Sequence, residues 1–260
     1  MADEPPERYE LRKSLMMLNW NLNADDMQQR FDFSLLEKHN VHVQHMSLDK
    51  GSADSPRFFA PYANAPPVPD EILKKARNEP RGFLVPGYYD DYARWFYGLW
   101  HRYTYDEMYY PSLYPQHEHW PWVQGCLLCN GLPRVPNCEE SSSPEEVLRS
   151  ADRYMPHVKA AIVVNAEAKD GELLRAEIMS VLRLMIHQMR QKRLIPHMKI
   201  PAMVLSMLGN RARLIEAFCE DGMIILRVTK LYDIPKDMAV ASQQFAEWYE
   251  GTPTGDTKSR

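Results

Sequence analysis

Residues 158–166 read VKAAIVVNA, residues 167–172 read EAKDGE, and residues 173–189 read LLRAEIMSVLRLMIHQM. The order of these three segments decides the fold class. The first is short, apolar and β-branched at Ile162, Val163 and Val164, which predicts a buried strand over Val158–Ala166. The third predicts a long helix from Gly171 to Leu194, ended by Pro196. That helix is apolar over more than half its circumference, so it should be largely buried. Downstream, Ala202–Leu208, Arg213–Cys219 and Met223–Thr229 read as strands. Gly209-Asn210 separates the first pair and Asp221-Gly222 the second, the latter a hairpin signal. Asp237–Glu250 reads as a closing helix with Gly251 just past its end. A strand-helix-strand unit followed by a hairpin predicts an α/β (or α+β) fold with a mixed sheet and helices packed on it.

Upstream, Ser143-Pro144-Glu145-Glu146 combines a capping residue, a first-turn proline and a capping-box glutamate, and predicts a helix ending near Met155-Pro156. Asp90-Asp91 opens another, in which Tyr92, Trp95, Phe96, Leu99, Trp100 and Tyr103 recur at helical spacing. Residues 83–122 hold 15 of the 28 aromatic residues, and a short helix is expected at Asp70–Asn78. Leu11, Leu15 and Leu18, then Phe31, Leu35 and Leu36, give weak helical stripes near the start. Between Gly51 and Pro69 five prolines remove backbone donors and favour extended geometry. The expected organisation is a helical N-terminal arm (1–50), a Pro-rich linker (51–69), one α/β domain (70–251) and a flexible tail (252–260).

Hydrophobic residues make up 45% and charged residues 25%, which excludes a disordered chain, a collagen-like fibre and a membrane bundle. Lys and Arg number 31 against 35 Asp and Glu, a net charge of -4. No global positive field draws in nucleic acid, so such binding needs a local patch. The acidic start lacks the apolar region of a secretory signal, and no run is long and apolar enough to cross a membrane. Four cysteines fit reduced thiols better than a disulfide framework. An intracellular protein, cytoplasmic or nuclear, not secreted and without a membrane partner, is expected.

Glu167-Ala168-Lys169 is the first chemical feature. Residues two apart share a face of a strand, so a carboxylate and an ammonium would leave the strand end together. The carboxylate can hold a divalent cation that activates water on a phosphodiester, with the amine stabilising charge. A solvated ion pair is the plainer interpretation. With 11 Gly there is no glycine-rich phosphate loop and no G-x-S-x-G elbow.

Strand, Glu167-x-Lys169, long helix, strand and hairpin resemble the second half of the PD-(D/E)XK nuclease-like fold over roughly residues 140–235. The whole chain also resembles a family of uncharacterised proteins of filamentous ascomycete fungi, in segments such as AKDGE (168–172) and TKLYD (229–233). The nuclease resemblance implies phosphodiester hydrolysis with Mg2+ or Mn2+, with Glu167 and Lys169 catalytic and Glu177 orienting them. It also implies an upstream Asp beside Glu167, yet no Asp occurs between Asp106 and Asp152. Asp152 and Glu118 are the substitutes, and without one of them the resemblance implies a degenerate, nucleic-acid-binding relic.

Three further features bear on function. From Ile178 to Ile215 there is no acid, and Arg183, Arg190, Lys192, Arg193, Arg211 and Arg213 could line a phosphate-binding groove. Cations near a helix C-terminus also complement its dipole without any ligand. Tyr92, Trp95, Trp100 and Tyr103 could form a cleft for a flat ligand, or pack as core. Cys126, Cys129, Cys138 and His119 have zinc-ligand spacing, although free cysteines commonly pack as small hydrophobes. Beside the nuclease or its relic, the sequence therefore allows a non-catalytic module with a protein partner. It also allows an accessory protein or enzyme of fungal small-molecule metabolism built on the aromatic cleft.

Overall fold

A computed structural model describes residues 4–24, 28–77, 89–109, 120 and 142–259. The helices are α1 (Pro6–Ala24), α2 (Phe33–Glu37), α3 (Asp70–Arg77), α4 (Tyr89–Tyr103), α5 (Arg175–Met189) and α6 (Ile234–Tyr249). The strands are β1 (Arg30–Asp32), β2 (Val41–His45), β3 (Phe59–Ala60), β4 (Ser142–Arg149), β5 (Val158–Val164) and β6 (Glu172–Leu174), then β7 (Ala202–Leu208), β8 (Arg211–Glu220), β9 (Met223–Val228), β10 (Tyr232–Asp233) and β11 (Thr252–Pro253).

The fold is α/β. Its main sheet is mixed, with strand order β2-β9-β8-β7-β5-β4 and β10 added to β8. β5 and β7 run parallel, Val158 opposite Ala202 and Val164 opposite Leu208, because α5 carries the chain back between them. β7, β8 and β9 form the antiparallel run expected from their turn residues. Asp221 takes positive φ (51°) beside Gly222, as a tight hairpin requires.

Helices cover both faces, so the strands are buried on both. Val158, Ala160, Ile162 and Val164 of β5 face the core shared with α1 and α5. Ala161 and Val163 face the core shared with α3, α4 and α6. This double burial explains a correction. The helix expected over Ser143–Met155 is strand β4, antiparallel to β5. Val147 enters one core and Leu148 the other, so no alternation marks the strand in the sequence. Pro144 fits because β4 is the last strand of the sheet and a register shift falls between Pro144 and Glu146.

Segments near both ends of the sequence pack into this domain. β2 is the parallel neighbour of β9, so residues 41–45 belong to the sheet rather than to an arm. Arg8 of α1 is fully buried and donates to the carbonyls of Met189, Leu194 and His197 at the end of α5. Residues 51–69 carry only the two-residue β3 as regular structure. Glu216 fixes this stretch by accepting the N–H groups of Arg57 and Phe58 at 2.8 Å, and Arg227 donates to the carbonyls of Ser55 and Asp54. β11 pairs with β3 and the Thr257 carbonyl accepts from the Met198 and Lys199 N–H groups, so the expected tail is docked as far as Thr257. At the crossing, a Cβ on Gly251 would stand 1.9 Å from the Ala60 carbonyl oxygen, which is why only glycine fits there.

Candidate functional site

Glu167 and Lys169 leave the C-terminal end of β5 in the loop before β6. Ala166 and Ala168 are buried while Glu167 and Lys169 are exposed, so the two side chains do share a solvent-facing side. The second acid does not join them. Asp152 lies in the turn between β4 and β5, at the opposite end of β5. Seven strand residues at ~3.3 Å each hold the two ends about 20 Å apart, far beyond a shared cation. Asp152 instead accepts the Tyr154 N–H at 2.9 Å. Glu118 lies outside the described residues. The neighbouring acids are engaged otherwise: Asp170 accepts the Leu231 N–H, and Glu172 pairs with Arg30 at 2.6 Å. Among the described residues no group of three His, Cys, Asp or Glu side chains could hold a metal ion.

Glu177, expected to orient the catalytic pair, has a structural task. It is fully buried at the start of α5, bonded through both oxygens to Arg213 of β8, and it accepts the Leu174 N–H at 2.9 Å. Arg213 also donates to the Glu172 carbonyl, so it is unavailable to a phosphate. Sequence reading could place both residues in the right elements but not see them facing each other across a strand-helix contact.

The aromatic cleft is also corrected. Tyr92, Trp100 and Tyr103 are buried in the core under α6, and Trp95 is half-buried. Trp100 packs edge-on to Tyr249 at 5.3 Å between centroids, and the Tyr103 hydroxyl donates to the Pro66 carbonyl. The expected zinc ligands Cys126, Cys129, Cys138 and His119 lie outside the described residues.

Two buried basic groups on β5 and just before it were not singled out by the sequence. Lys159 is fully buried and donates to the carbonyls of Tyr249 and Gly251 that end α6, with its amine 3.6 Å from the centre of the Trp120 ring. His157 sits next to the Thr254 carbonyl (Nε2 to oxygen 2.9 Å), which assigns the proton of the neutral ring to Nε2. Burial pulls the His157 pKa down from 6.5 to about 4, despite the carbonyl. Because the folded value lies below the unfolded one, this neutral imidazole supports folding fully above pH 6.5 and progressively less down to pH 4. The difference corresponds to about 3 kcal/mol. Urea midpoints should therefore fall steeply from pH 6.5 to 4, and His157→Gln, which keeps a donor for Thr254, should flatten that fall. An equally steep fall in the variant would assign the acid sensitivity elsewhere.

The cations divide into separate groups. Arg211 donates to the Ala168 carbonyl near Glu167, and Arg183 is half-buried beside Arg175. The remaining three, Arg190, Lys192 and Arg193, gather at the far end of α5 with two that sequence reading missed, Arg149 and Arg153. Arg193 donates its Nε–H to the Arg153 carbonyl at 2.6 Å, joining the short 3-10 turn Lys192–Leu194 to the β4–β5 turn. Burial, then the Arg149 and Arg153 charges, hold the Arg193 pKa below its ordinary value. His187 is lowered by burial and next by Arg190 and Arg193, so these charges are near neighbours. Among the described residues none of the five cations forms an ion pair with a carboxylate. They end different elements and converge only through the β5–β7 crossover, which is why a linear scan splits them.

No protein-family model, no curated protein and no solved structure matches the chain. Among the described residues no helix is long and apolar enough to span a membrane.

Proposed function

We propose that this protein binds nucleic acid through the basic surface formed by Arg149, Arg153, Arg190, Lys192 and Arg193, and that it does not cleave it. The supporting observation is the separation of charge from chemistry. Five cations that have no carboxylate partner among the described residues sit at one end of α5, and the Glu167/Lys169 pair sits beyond the other. A 15-residue helix spans about 22 Å between them. A phosphate backbone held by the cations therefore does not lie across Glu167. The nuclease fold is kept in this reading, and its cutting chemistry is not.

A net charge of -4 makes the local patch more informative, because it is not a by-product of a basic protein. Such binding should be strongly salt-dependent, since each neutralised phosphate releases counterions. Arg149, Arg190 and Lys192 are exposed and suit charge reversal. Replacing all three with Glu should weaken binding about 100-fold at 0.1 M salt and reduce the slope of log K against log salt by about 2 to 3. Glu167→Gln and Lys169→Met should leave affinity unchanged. An unchanged salt slope in the triple variant would remove the binding surface. Magnesium- or manganese-dependent cutting that Glu167→Gln abolishes would instead restore the catalytic reading.

A further inference from the structure

The outer face of α1 adjoins the basic surface and is unusually apolar. Tyr9, Met16 and Trp20 stand seven and four residues apart, which places them on one line of the helix. Trp20 is 73% exposed and Tyr9 46%, large rings for an open helix face. This face meets one of the cations directly: a guanidinium nitrogen of Arg190 lies 3.8 Å from the Met16 sulfur. On the other side of the patch Tyr154 is 54% exposed, with the Arg153 guanidinium over its ring at 5.0 Å. Tyr154 therefore borders the basic cluster on one side, and on the other Trp20 stands one helical turn beyond the Met16–Arg190 contact, toward the start of α5, where Arg175 donates to the Leu22 carbonyl. The acids at the rim are Asp152, turned onto the Tyr154 N–H, Glu4, bound by Arg8 and Arg12, and Glu10, paired with Lys13.

We infer that the ligand of this surface is single-stranded nucleic acid, with bases stacking on Trp20 and Tyr154 while the phosphates run over the arginines between them. The inference rests on the nucleic-acid reading above and narrows it. A duplex hides its base faces in the stack and offers the cations only its backbone, so exposed rings add nothing to its binding. A single strand presents both, and aromatic platforms beside a basic track are the physical means of holding it without sequence preference. Charge complementarity selects this occupant over an apolar protein surface, because such a partner would leave five cations unpaired.

The test is a titration of the full chain with a 20-nucleotide oligo(dT) and, separately, with a 20-base-pair duplex at the same salt. Oligo(dT) should quench tryptophan fluorescence and bind about tenfold or more tightly than the duplex. Trp20→Ala should abolish most of the quench, and Trp20→Ala and Tyr154→Ala should each weaken oligo(dT) binding about tenfold, while neither changes duplex affinity or the salt slope. Both rings are exposed, and an unchanged melting temperature in each variant confirms that folding is not what was lost. Equal affinity for both ligands, with Trp20→Ala silent, would overturn the stacking inference and leave the basic surface standing. No binding to either ligand would overturn both. A blue shift of Trp20 on vesicles containing phosphatidylserine, without response to oligo(dT), would assign the face to a membrane surface and equally overturn the inference.

Discussion

Replacing Arg213 with Met is expected to destabilise the protein by about 3–5 kcal/mol, one of the two largest single-site effects we anticipate. The guanidinium donates from Nε to Glu177 at 2.8 Å, from a second nitrogen to the other carboxylate oxygen, and from the third to the Glu172 carbonyl. Both side chains are 1% exposed or less. Without the arginine, Glu177 is left charged and dry against the sheet, and the N-terminus of α5 compensates only part of that cost. Met has similar length, so a cavity contributes little. Removing both charges together (Arg213→Met with Glu177→Leu) should return at least about 2 kcal/mol of the loss, because the pair, not either residue, is the unit. Recovery should be incomplete, since the Leu174 N–H loses its carboxylate acceptor. Urea unfolding with an unchanged m-value is the measurement. Losses in the two single variants that simply add would show that the ion pair is not coupled. Nucleic-acid affinity, measured on the folded fraction, should not change in any of these variants.

That experiment separates two meanings of one residue. In the sequence, Glu177 follows Glu167 by ten positions on a helix, and the pattern suits a supporting carboxylate of a metal site. In three dimensions the helix turns Glu177 toward β8, and Arg213, expected from the sequence to line a phosphate-binding groove, neutralises it. Periodicity names the element and the face of α5, and even the burial of that face. It does not name the strand against which the face packs, which depends on the crossover between β5 and β7.

The same limit explains what was and was not legible elsewhere. β5, β7, β8 and β9 were readable because short apolar runs bounded by turn residues leave few alternatives. β4 was not, because Ser143-Pro144-Glu145-Glu146 satisfies the local rules for a helix start, and only pairing with β5 makes it a strand. Local propensity was overridden by a tertiary contact. Asp152 was displaced for the same reason. With residues 143–155 read as helix, its position relative to Glu167 was free, whereas a β4–β5 hairpin forces it to the far end. The basic surface was half legible: Arg190, Lys192 and Arg193 stand out as an acid-free run. Arg149 and Arg153 lie about forty residues earlier and join them through the hairpin turn.

Lys159→Met should lower stability by about 2–4 kcal/mol at neutral pH, and this loss should grow with pH. Burial draws the Lys159 pKa well below its ordinary value, and the Glu250 and Glu146 carboxylates draw it back. Glu146 is pushed up to about 8, by burial first and by Glu250 second. A lysine introduced only as charge would be an unfavourable choice here, and an apolar substitute could even stabilise. Its partners decide otherwise. The amine satisfies the Tyr249 and Gly251 carbonyls at the end of α6, and methionine offers no donor to either. Two effects then act in one direction. The lowered lysine makes the native protein gain stability as pH rises toward the unfolded value, and the variant lacks that gain. The raised Glu146 favours folding below pH 4.5 and opposes it as pH climbs to about 8, and losing the ammonium deepens that opposition. Chemical unfolding of both proteins at pH 5 and pH 8 measures the difference. A penalty that stays constant or shrinks across that interval would mean that Lys159 does not support its neighbouring acids, and that its two carbonyl bonds alone account for its burial.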